Sequence, residues 1–282
     1  MELVRYTDAR IFCDKALPFL LQHEAENNLM ISVALRLADG TGKWGDDPPV
    51  LYAIEHAGQV VAAALQTPPY HLQLTRMEAD AMAGLVEALQ AGGHALPGVL
   101  GPIETVEAFA TCWTDDRAIR AQMEKSMGVY QLDRVASPAH PGGHTAEATP
   151  ADEALLVTWM REFNTLTHAD IRAAEEIVQR GLEKRLFWLW KDPAPVSLAA
   201  FCGPTPHGMR INNVYTPTEY RGRGYASANV AALSQHLLDS GRRFCYLFTD
   251  LDNPTSNRIY QKIGYRRVCE FASYRFVDAE KA

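Results

Sequence analysis

Residues 220–226 read YRGRGYA, which places two glycines and two arginines between a strand-like run and a helix-like run. Backbone N–H groups at the start of a helix have no partner inside it, and the helix dipole adds positive potential there, so such a junction attracts anions. Gly222 and Gly224 carry no side chain that would keep a phosphate from the amides. Arg221 and Arg223 add positive charge. The stretch therefore predicts either a pyrophosphate-binding loop or an ordinary surface turn.

The composition is that of a globular protein. The hydrophobic content of 47% is enough for a sizeable core, and the length of 282 residues favours two domains over one large domain. The net charge of −7 disfavours a nucleic-acid-binding surface. No apolar run approaches the roughly 20 residues that cross a bilayer, and the N-terminus lacks the apolar core of a signal peptide. The five cysteines are widely spaced without a CxxC pair, which is typical of reduced thiols. We therefore predict a cytoplasmic protein without a nucleic-acid, membrane or metal partner.

The chain reads as two halves with one pattern. A break rich in proline and glycine, ASPAHPGGH, covers 136–144, and the segments 60–74 and 196–211 share a pattern, including Pro68 and Pro204 at one offset. We interpret this as an internal duplication with domains at 1–136 and 144–282, the alternative being an accidental echo within an α/β chain. Periodicity also predicts one long helix over 13–36 and two final strands, YRRVCEF and SYRFVD.

A polar stripe follows the loop some thirty residues later, in LFTDLDNPTSNRIYQKIGYRRV. Asn253 and Pro254 are a good helix cap and first helical residue. Asn253, Asn257 and Tyr260 are spaced at 0, 4 and 7, which places them on one helical face. Because such a face is normally apolar on a packed helix, the two amides and the phenol indicate a binding or catalytic surface.

Three known phosphate-binding loops compete for YRGRGYA. The dinucleotide loop GxGxxG needs a third glycine where Ser227 stands, and the GxxxxGK[ST] loop does not occur. The third pattern, Arg/Gln-x-x-Gly-x-Gly/Ala, fits Arg221, Gly224 and Ala226 in full. With the stripe downstream, the second half resembles the GNAT superfamily of acyl-CoA-dependent N-acyltransferases over about 145–282, most specifically over 211–267.

The resemblance implies an α/β (α+β) fold with two GNAT-like domains in tandem, each a mixed, mostly antiparallel twisted sheet flanked by helices. It also implies a set of CoA-binding residues. These are the strand residues Val214, Tyr215 and Thr216, the cradle residues Arg221, Gly222, Arg223, Gly224, Tyr225, Ala226 and Ser227, and the amides Asn253 and Asn257. By the same resemblance Tyr260 protonates the departing thiolate.

The first half departs from this pattern. Its segment TRMEADAMAGLV lacks the glycine loop, and Met77, Glu78 and Asp80 stand where a cradle needs glycine and positive charge. We therefore predict that the first half keeps the fold and does not bind CoA.

The implied reaction is transfer of an acetyl group from acetyl-CoA to a small-molecule or protein amine, by direct attack in a ternary complex. A phenol with a pKa near 10 is a suitable proton donor to the leaving thiolate. Alternatives are a non-catalytic acyl-CoA-binding sensor or scaffold and a nucleotide-binding oxidoreductase, which the missing third glycine disfavours. Five side chains are candidate bases or else solvated or capping groups: Glu162, His168, Glu219, Asp250 and Asp252. Four aromatic residues either line an acceptor pocket or pack the core: Trp159, Phe163, Trp188 and Trp190.

Overall fold

The computed structural model of the chain describes residues 1–42, 45–136, 141–167 and 171–279. By internal packing the chain divides into two compact units. The first comprises Met1–Val129, Thr249–Asn253 and Arg267–Ala282, and the second comprises Tyr130–Phe248 and Pro254–Arg266. Because the last strand of the chain belongs to the first unit, these units differ from the segments 1–136 and 144–282, and those domain boundaries stay a prediction.

The elements of the first part of the chain alternate strands with helices. In chain order they are β1 (Glu2–Tyr6), α1 (Ala9–Leu20), α2 (Asn28–Ala38), β2 (Val50–His56), β3 (Gln59–Gln66), β4 (Leu72–Leu74), α3 (Ala79–Ala91), β5 (Gly98–Pro102), α4 (Ile103–Thr114) and β6 (Ile119–Leu132). A short 3₁₀ turn, Leu21–His23, extends α1.

The second part repeats the order. Its elements are β7 (His144–Glu147), α5 (Glu153–Leu166), α6 (Ala174–Glu183), β8 (Phe187–Lys191), β9 (Pro195–Cys202), β10 (Gly208–Tyr215), α7 (Tyr225–Asp239), β11 (Phe244–Asp250), α8 (Pro254–Ile263) and β12 (Arg266–Asp278). A 3₁₀ turn, Thr218–Tyr220, lies between β10 and α7.

The sheet of the first unit runs in the order β1-β2-β3-β4-β5-β12. Its neighbours are antiparallel except β4 and β5, which pair in parallel over two positions only. The final strand β12 completes this sheet by pairing with β5 from Phe271↔Pro102 to Arg275↔Gly98. The first unit therefore takes one of its strands from the far end of the chain.

The sheet of the second unit runs β11-β10-β9-β8-β7, and only β10 and β11 are parallel. Helices cover both faces. Leu233 of α7 and Ile263 of α8 pack on one face, whereas Leu156 of α5 and Val178 of α6 pack on the other. The fold class predicted from the sequence, two mixed and mostly antiparallel sheets flanked by helices, is confirmed.

Several predicted elements were wrong. The single helix predicted over 13–36 is divided, because the side-chain amides of Asn27 and Asn28 donate to the carbonyls of Leu20 and Ala25 at 3.0 and 2.7 Å. Those bonds replace helical ones in a buried segment. The two strands predicted at the chain end form one continuous strand, β12, because its pairing with β5 runs through Ala272 without a break.

Candidate active site

The second unit has an opening between its two parallel strands. Strands β10 and β11 pair over Gly208↔Phe244, Met209↔Cys245 and Arg210↔Tyr246, although within this unit β10 continues to Tyr215 and β11 to Phe248. Beyond Arg210 the described strands no longer pair with each other. Backbone groups of β10 on this side are therefore available to a ligand, and they include those of Val214, which was predicted to bind CoA.

A β-bulge reorients β10 beside this opening. Its pairing with β9 shifts between Asn212↔Ala200 and Tyr215↔Leu198, so three steps along β10 match two along β9. Asn213, inside the bulge, has a φ of +48°, a left-handed conformation that asparagine tolerates better than most residues. The extra residue reverses the alternation of side chains, and Tyr215 faces α5 and α6 although Ile211 faces α7 and α8. The bulge was not anticipated from the sequence, where the pair Asn212-Asn213 inside a strand was its only signal.

The predicted cradle lies directly beyond this strand, at the start of α7. Gly222 has a φ of +78° and Gly224, the residue that caps α7, a φ of +85°. A Cβ built on either glycine would meet nothing within 4 Å. The N–H of Ala228 donates to the Gly224 carbonyl, and none of the N–H groups of 222–227 has an acceptor among the described residues. The loop thus presents a row of free amides to open space, as an anion-binding site requires.

The two arginines of the loop are exposed but held by their neighbours. The Arg221 Nε donates to the carbonyl of Thr216 at 3.0 Å, which ties the loop to the end of β10. The Arg223 guanidinium lies 6.0 Å from the centre of the Tyr220 ring. Tyr225 donates from its hydroxyl to Asp192 at 2.7 Å. Ala226 and Ser227, both half-buried, form the first turn of α7.

The predicted polar stripe lies along α8 and the residue before it. Asn253 is exposed, and its backbone N–H donates to the Asp250 carbonyl at 3.1 Å. Asn257 is half-buried and Tyr260 is only 9% exposed. Asn257, Tyr260 and the cradle belong to the second unit, and Asn253 belongs to the first.

Tyr260 lies in the core cluster that also contains Ile211 of β10 and Leu247 of β11, the two strands that separate. Its ring packs edge-on against Tyr265, with ring centres 6.0 Å apart. Burial raises the pKa of the Tyr260 phenol to about 12, and no hydrogen bond from the described residues contributes to this shift. The hydroxyl is therefore protonated at neutral pH and has no acceptor within the described chain.

The opposite face of the sheet carries a second tyrosine. The Tyr215 hydroxyl donates to Glu162 of α5 at 2.5 Å, and its ring packs on buried Trp159 with ring centres 6.2 Å apart. Burial first, and then Glu162, raise the pKa of Tyr215 to about 12. The Tyr215 carbonyl and the Thr216 hydroxyl both lie within hydrogen-bond distance of the buried Ser197 hydroxyl, at 3.2 and 2.9 Å. The pairing of Glu162 with Tyr215 has no signal in the sequence, because it joins residues 53 positions apart.

The other candidate bases cap a turn, are exposed to solvent or lie outside the described residues. Asp250 accepts from the backbone N–H of Asp252 at 2.8 Å and so caps the turn before α8. Glu219 and Asp252 are exposed, and His168 lies outside the described residues. The four aromatic residues are spread over separate core clusters, with Trp159 and Phe163 in one, Trp188 in another and Trp190 in a third. Their packing interpretation is confirmed.

Neither a metal-ligand cluster nor a membrane-spanning helix occurs among the described residues. No cluster of three or more His, Cys, Asp or Glu side chains there has the arrangement of a metal site. No helix in the described ranges combines the length and apolarity that a membrane span requires.

Part of the chain is similar to a known protein family. Residues 189–276 match the family model of FR47-like proteins. A search of curated protein sequences finds no significant match.

Solved structures resemble the chain over nearly its whole length. An acetyltransferase of the GNAT family from Colwellia psychrerythraea has a TM-score of 0.58 at 10% identity, covering 98% of this chain and 100% of its own. A GCN5-related N-acetyltransferase from Sphaerobacter thermophilus has a TM-score of 0.61 at 16% identity, covering 98% and 96%. A tandem GNAT protein from the clavulanic acid biosynthesis pathway has a TM-score of 0.55 at 14% identity, covering 100% and 99%.

These similarities confirm the resemblance to the GNAT superfamily. At these identities they establish the fold, and the match to a tandem protein over both chains shows that the fold is a tandem one. The FR47-like match covers the part of the chain that contains the cradle and the polar stripe.

Proposed function

We propose that this protein is an acyl-CoA-dependent N-acyltransferase, and that it moves an acetyl group from acetyl-CoA to an amine in its second unit. One observation carries the proposal: a glycine cradle with free amides follows a bulged strand that separates from its parallel neighbour, beside a buried phenol without an acceptor. Phosphate, thioester and leaving sulfur thus each have a complementary group.

The cradle fits a pyrophosphate. Gly222 and Gly224 leave room where any Cβ would project, and the amides of 222–227 supply donors at the positive end of α7. Arg221 and Arg223 add charge at the rim. Acetyl-CoA has both a pyrophosphate for the cradle and an activated thioester for transfer. The unpaired edge of β10 near Val214 would bind its extended arm by backbone hydrogen bonds.

Tyr260 holds the proton that the leaving sulfur needs. In the transfer, a bond forms between the amine nitrogen and the carbonyl carbon, the carbon–sulfur bond breaks, and the sulfur takes the phenolic proton. The amine loses its proton to solvent, from which Tyr260 is reprotonated. Burial raises the pKa of Tyr260 to about 12, so the phenol keeps its proton until the leaving sulfur develops negative charge.

The bulge supplies the remaining group. A carbonyl oxygen gains negative charge during attack, and a backbone N–H that is not used in strand pairing can stabilise it. The residues Asn213 and Val214, between the two registers of β10, are the positions with such groups.

Two measurements test the proposal. Calorimetry with acetyl-CoA and with NAD should show binding of acetyl-CoA only, and thiol release with a panel of primary amines should exceed release without amine. Binding of acetyl-CoA without amine-dependent release would leave the sensor or scaffold alternative. Binding of NAD alone would favour the oxidoreductase. No binding of either ligand by the folded protein would overturn the proposal.

A further inference from the structure

The face of the second unit opposite Tyr260 carries polar groups that the proposed transfer does not use. The bulge turns Tyr215 toward α5, where its hydroxyl donates to Glu162 at 2.5 Å. Tyr260 packs with Ile211 and Leu247 on the other face. A group bound at Glu162 would therefore approach the opening between β10 and β11 from the side away from the proton donor.

Glu162 is exposed to solvent but held in place. A carboxylate has about four acceptor sites, and the Tyr215 hydroxyl uses one of them, so acceptor capacity remains for a ligand. The Tyr215 ring is buried against Trp159, so the hydroxyl that orients Glu162 is itself fixed. Glu219 and Arg221 also act on the pKa of this hydroxyl, which Glu219 raises and Arg221 lowers.

A second acceptor lies on the same face. Asn212 pairs with Ala200 and Tyr215 pairs with Leu198, and Ala200 and Leu198 pack together in the core under α5 and α6. The Asn212 Oδ1 is buried and has no hydrogen-bond partner among the described residues. A buried acceptor without a donor destabilises a fold, so the site favours a ligand that brings several N–H donors.

We propose that Glu162, oriented by Tyr215 and assisted by Asn212, binds the cationic ammonium of the acceptor, and that the acceptors of this protein are positively charged primary amines. A primary ammonium carries one charge and three N–H donors, which matches a carboxylate and an unsatisfied amide oxygen on the same face of the sheet. Glu162 and Asn212 are specificity-determining residues in this assignment, and Tyr215 is a positioning residue. The inference rests on the proposed transfer in the second unit.

The test measures binding and turnover separately. The probes are 1,4-diaminobutane and 2-phenylethylamine, with neutral 1,4-butanediol as the uncharged match for the diamine. Calorimetry in the presence of free CoA reports acceptor binding without reaction, and initial rates with acetyl-CoA give KM and kcat. We expect at least one of the two amines to bind and the diol not to bind.

Glu162→Gln keeps an acceptor for the Tyr215 hydroxyl and removes the charge. We expect it to raise the KM for the amine about tenfold or more, with kcat changed much less and the Kd for acetyl-CoA unchanged. Glu183→Gln, an exposed carboxylate at the end of α6, is the matched control and should change neither. Tyr215→Phe, which keeps the ring contact with Trp159, should raise KM less than Glu162→Gln.

Asn212→Leu separates a binding role from a structural one. If the amide oxygen waits for a ligand, its replacement by an apolar group of similar size should keep or raise the Tm while raising the KM for the amine. A lower Tm with an unchanged KM would overturn the role of Asn212.

Other outcomes overturn the inference as a whole. These are binding of neither amine, equal binding by Glu162→Gln, or a loss in kcat with KM unchanged, which would make Glu162 a base. None of them changes acetyl-CoA binding by the unsubstituted protein or its thiol release with the wider panel of primary amines, so failure of this inference is distinguishable from failure of the proposed function.

Discussion

The junction of β4 with α3 and the junction of β10 with α7 occupy the same place in their own sheets. Each follows a strand whose parallel pairing is brief, over Leu72↔Val99 and Gln73↔Leu100 in the first unit and over three positions in the second. The connection after β4 covers residues 75–78 and contains no glycine. The connection after β10 covers 216–224 and has two glycines at positive φ.

The arginine at each junction shows the same contrast. Arg76 binds both carboxylate oxygens of Glu26 at 3.1 and 3.2 Å and contacts Glu104 at 3.0 Å. The Arg221 guanidinium donates among the described residues only to the Thr216 carbonyl and pairs there with no carboxylate. The charge of the first junction is thus neutralised within the protein, and that of the second is available to an anion.

The helices that follow β5 and β11 also differ at matching positions. The fourth and seventh residues of α4 are Val106 and Phe109, both fully buried, whereas those of α8 are Asn257 and Tyr260. The first unit therefore has an apolar stripe where the second has a polar one. The same order of elements thus accommodates either stripe, and the residues that we propose to bind CoA lie at only two junctions of the second unit.

The largest expected effect comes from closing the cradle. Gly224→Val should abolish acetyl-CoA binding in calorimetry, because the new side chain projects into the open space before α7. The positive φ also costs about 1–2 kcal/mol of stability. Gly241→Val is the matched control, since Gly241 has a φ of +98° and equally open space at the other end of α7. It should lower the Tm similarly and leave binding intact; micromolar binding by folded Gly224→Val would contradict the cradle.

The second-largest effect is expected from a substitution that makes the polar stripe of α8 more like the apolar stripe of α4. Tyr260→Phe places the aromatic residue of α4 into α8 and should lower kcat roughly 100-fold by removing the proton donor, with acetyl-CoA affinity within a few-fold. Thiol-release kinetics and calorimetry check both parts. Tyr265→Phe, the ring partner whose hydroxyl bonds to Ser234 at 2.8 Å, should lower stability but not kcat. An unchanged kcat in Tyr260→Phe would remove this residue from the mechanism.

The two arginines should respond in opposite ways. Arg221→Ala should weaken acetyl-CoA binding about tenfold or more through loss of a charged donor, with a small change in stability. Arg76→Ala should leave binding unchanged and reduce the free energy of unfolding by about 1–3 kcal/mol, because Glu26 is only 9% exposed and loses its partner. Denaturant titration and calorimetry of both variants provide the measurement. Weaker acetyl-CoA binding in Arg76→Ala would show that the first junction also takes part.

The smallest effect is on stability at high pH. Burial raises the pKa of Tyr260 to about 12 from an unfolded value of about 10, so this residue stabilises the fold fully below pH 10 and loses that contribution as pH rises through 12. At about 1.4 kcal/mol per pKa unit the contribution is about 2–3 kcal/mol. Urea titrations at pH 9 and pH 12 should show that the free energy of unfolding falls more between these pH values in the natural chain than in Tyr260→Phe. An equal decrease in both proteins would indicate that the phenol is hydrated in the folded protein. Tyr70→Phe, at an exposed position, is the control.

The sequence predicted the parts of this molecule that depend on local chemistry. Glycine and arginine at 221–224 and the spacing of Asn257 and Tyr260 are readable because a loop and a helix are each set by neighbouring residues. The long strands were less readable. Strand β12 pairs with β5 far away in the chain, and most residues in the first half of β6 are exposed, so neither has the alternation that marks a strand.

The site divides in the same way. The bulge at Asn213 depends on the register with β9, and the bond between Tyr215 and Glu162 depends on how α5 lies on the sheet. Both are products of tertiary packing, which no pattern of neighbouring residues encodes. The cradle and Tyr260 were therefore predictable, and the face that we assign to the acceptor was not.

The place of β12 in the first sheet has a consequence for synthesis on the ribosome. Strand β5 ends at Pro102, and its partner strand β12 ends at Asp278. At ~5–20 residues per second, roughly 10–35 s separate their emergence, and during that time one edge of β5 has no partner. An open edge of this kind invites pairing with other chains. We therefore expect the nascent first unit to be most prone to mispairing before β12 emerges, and a chain truncated before β12 would lack the strand that completes the first sheet.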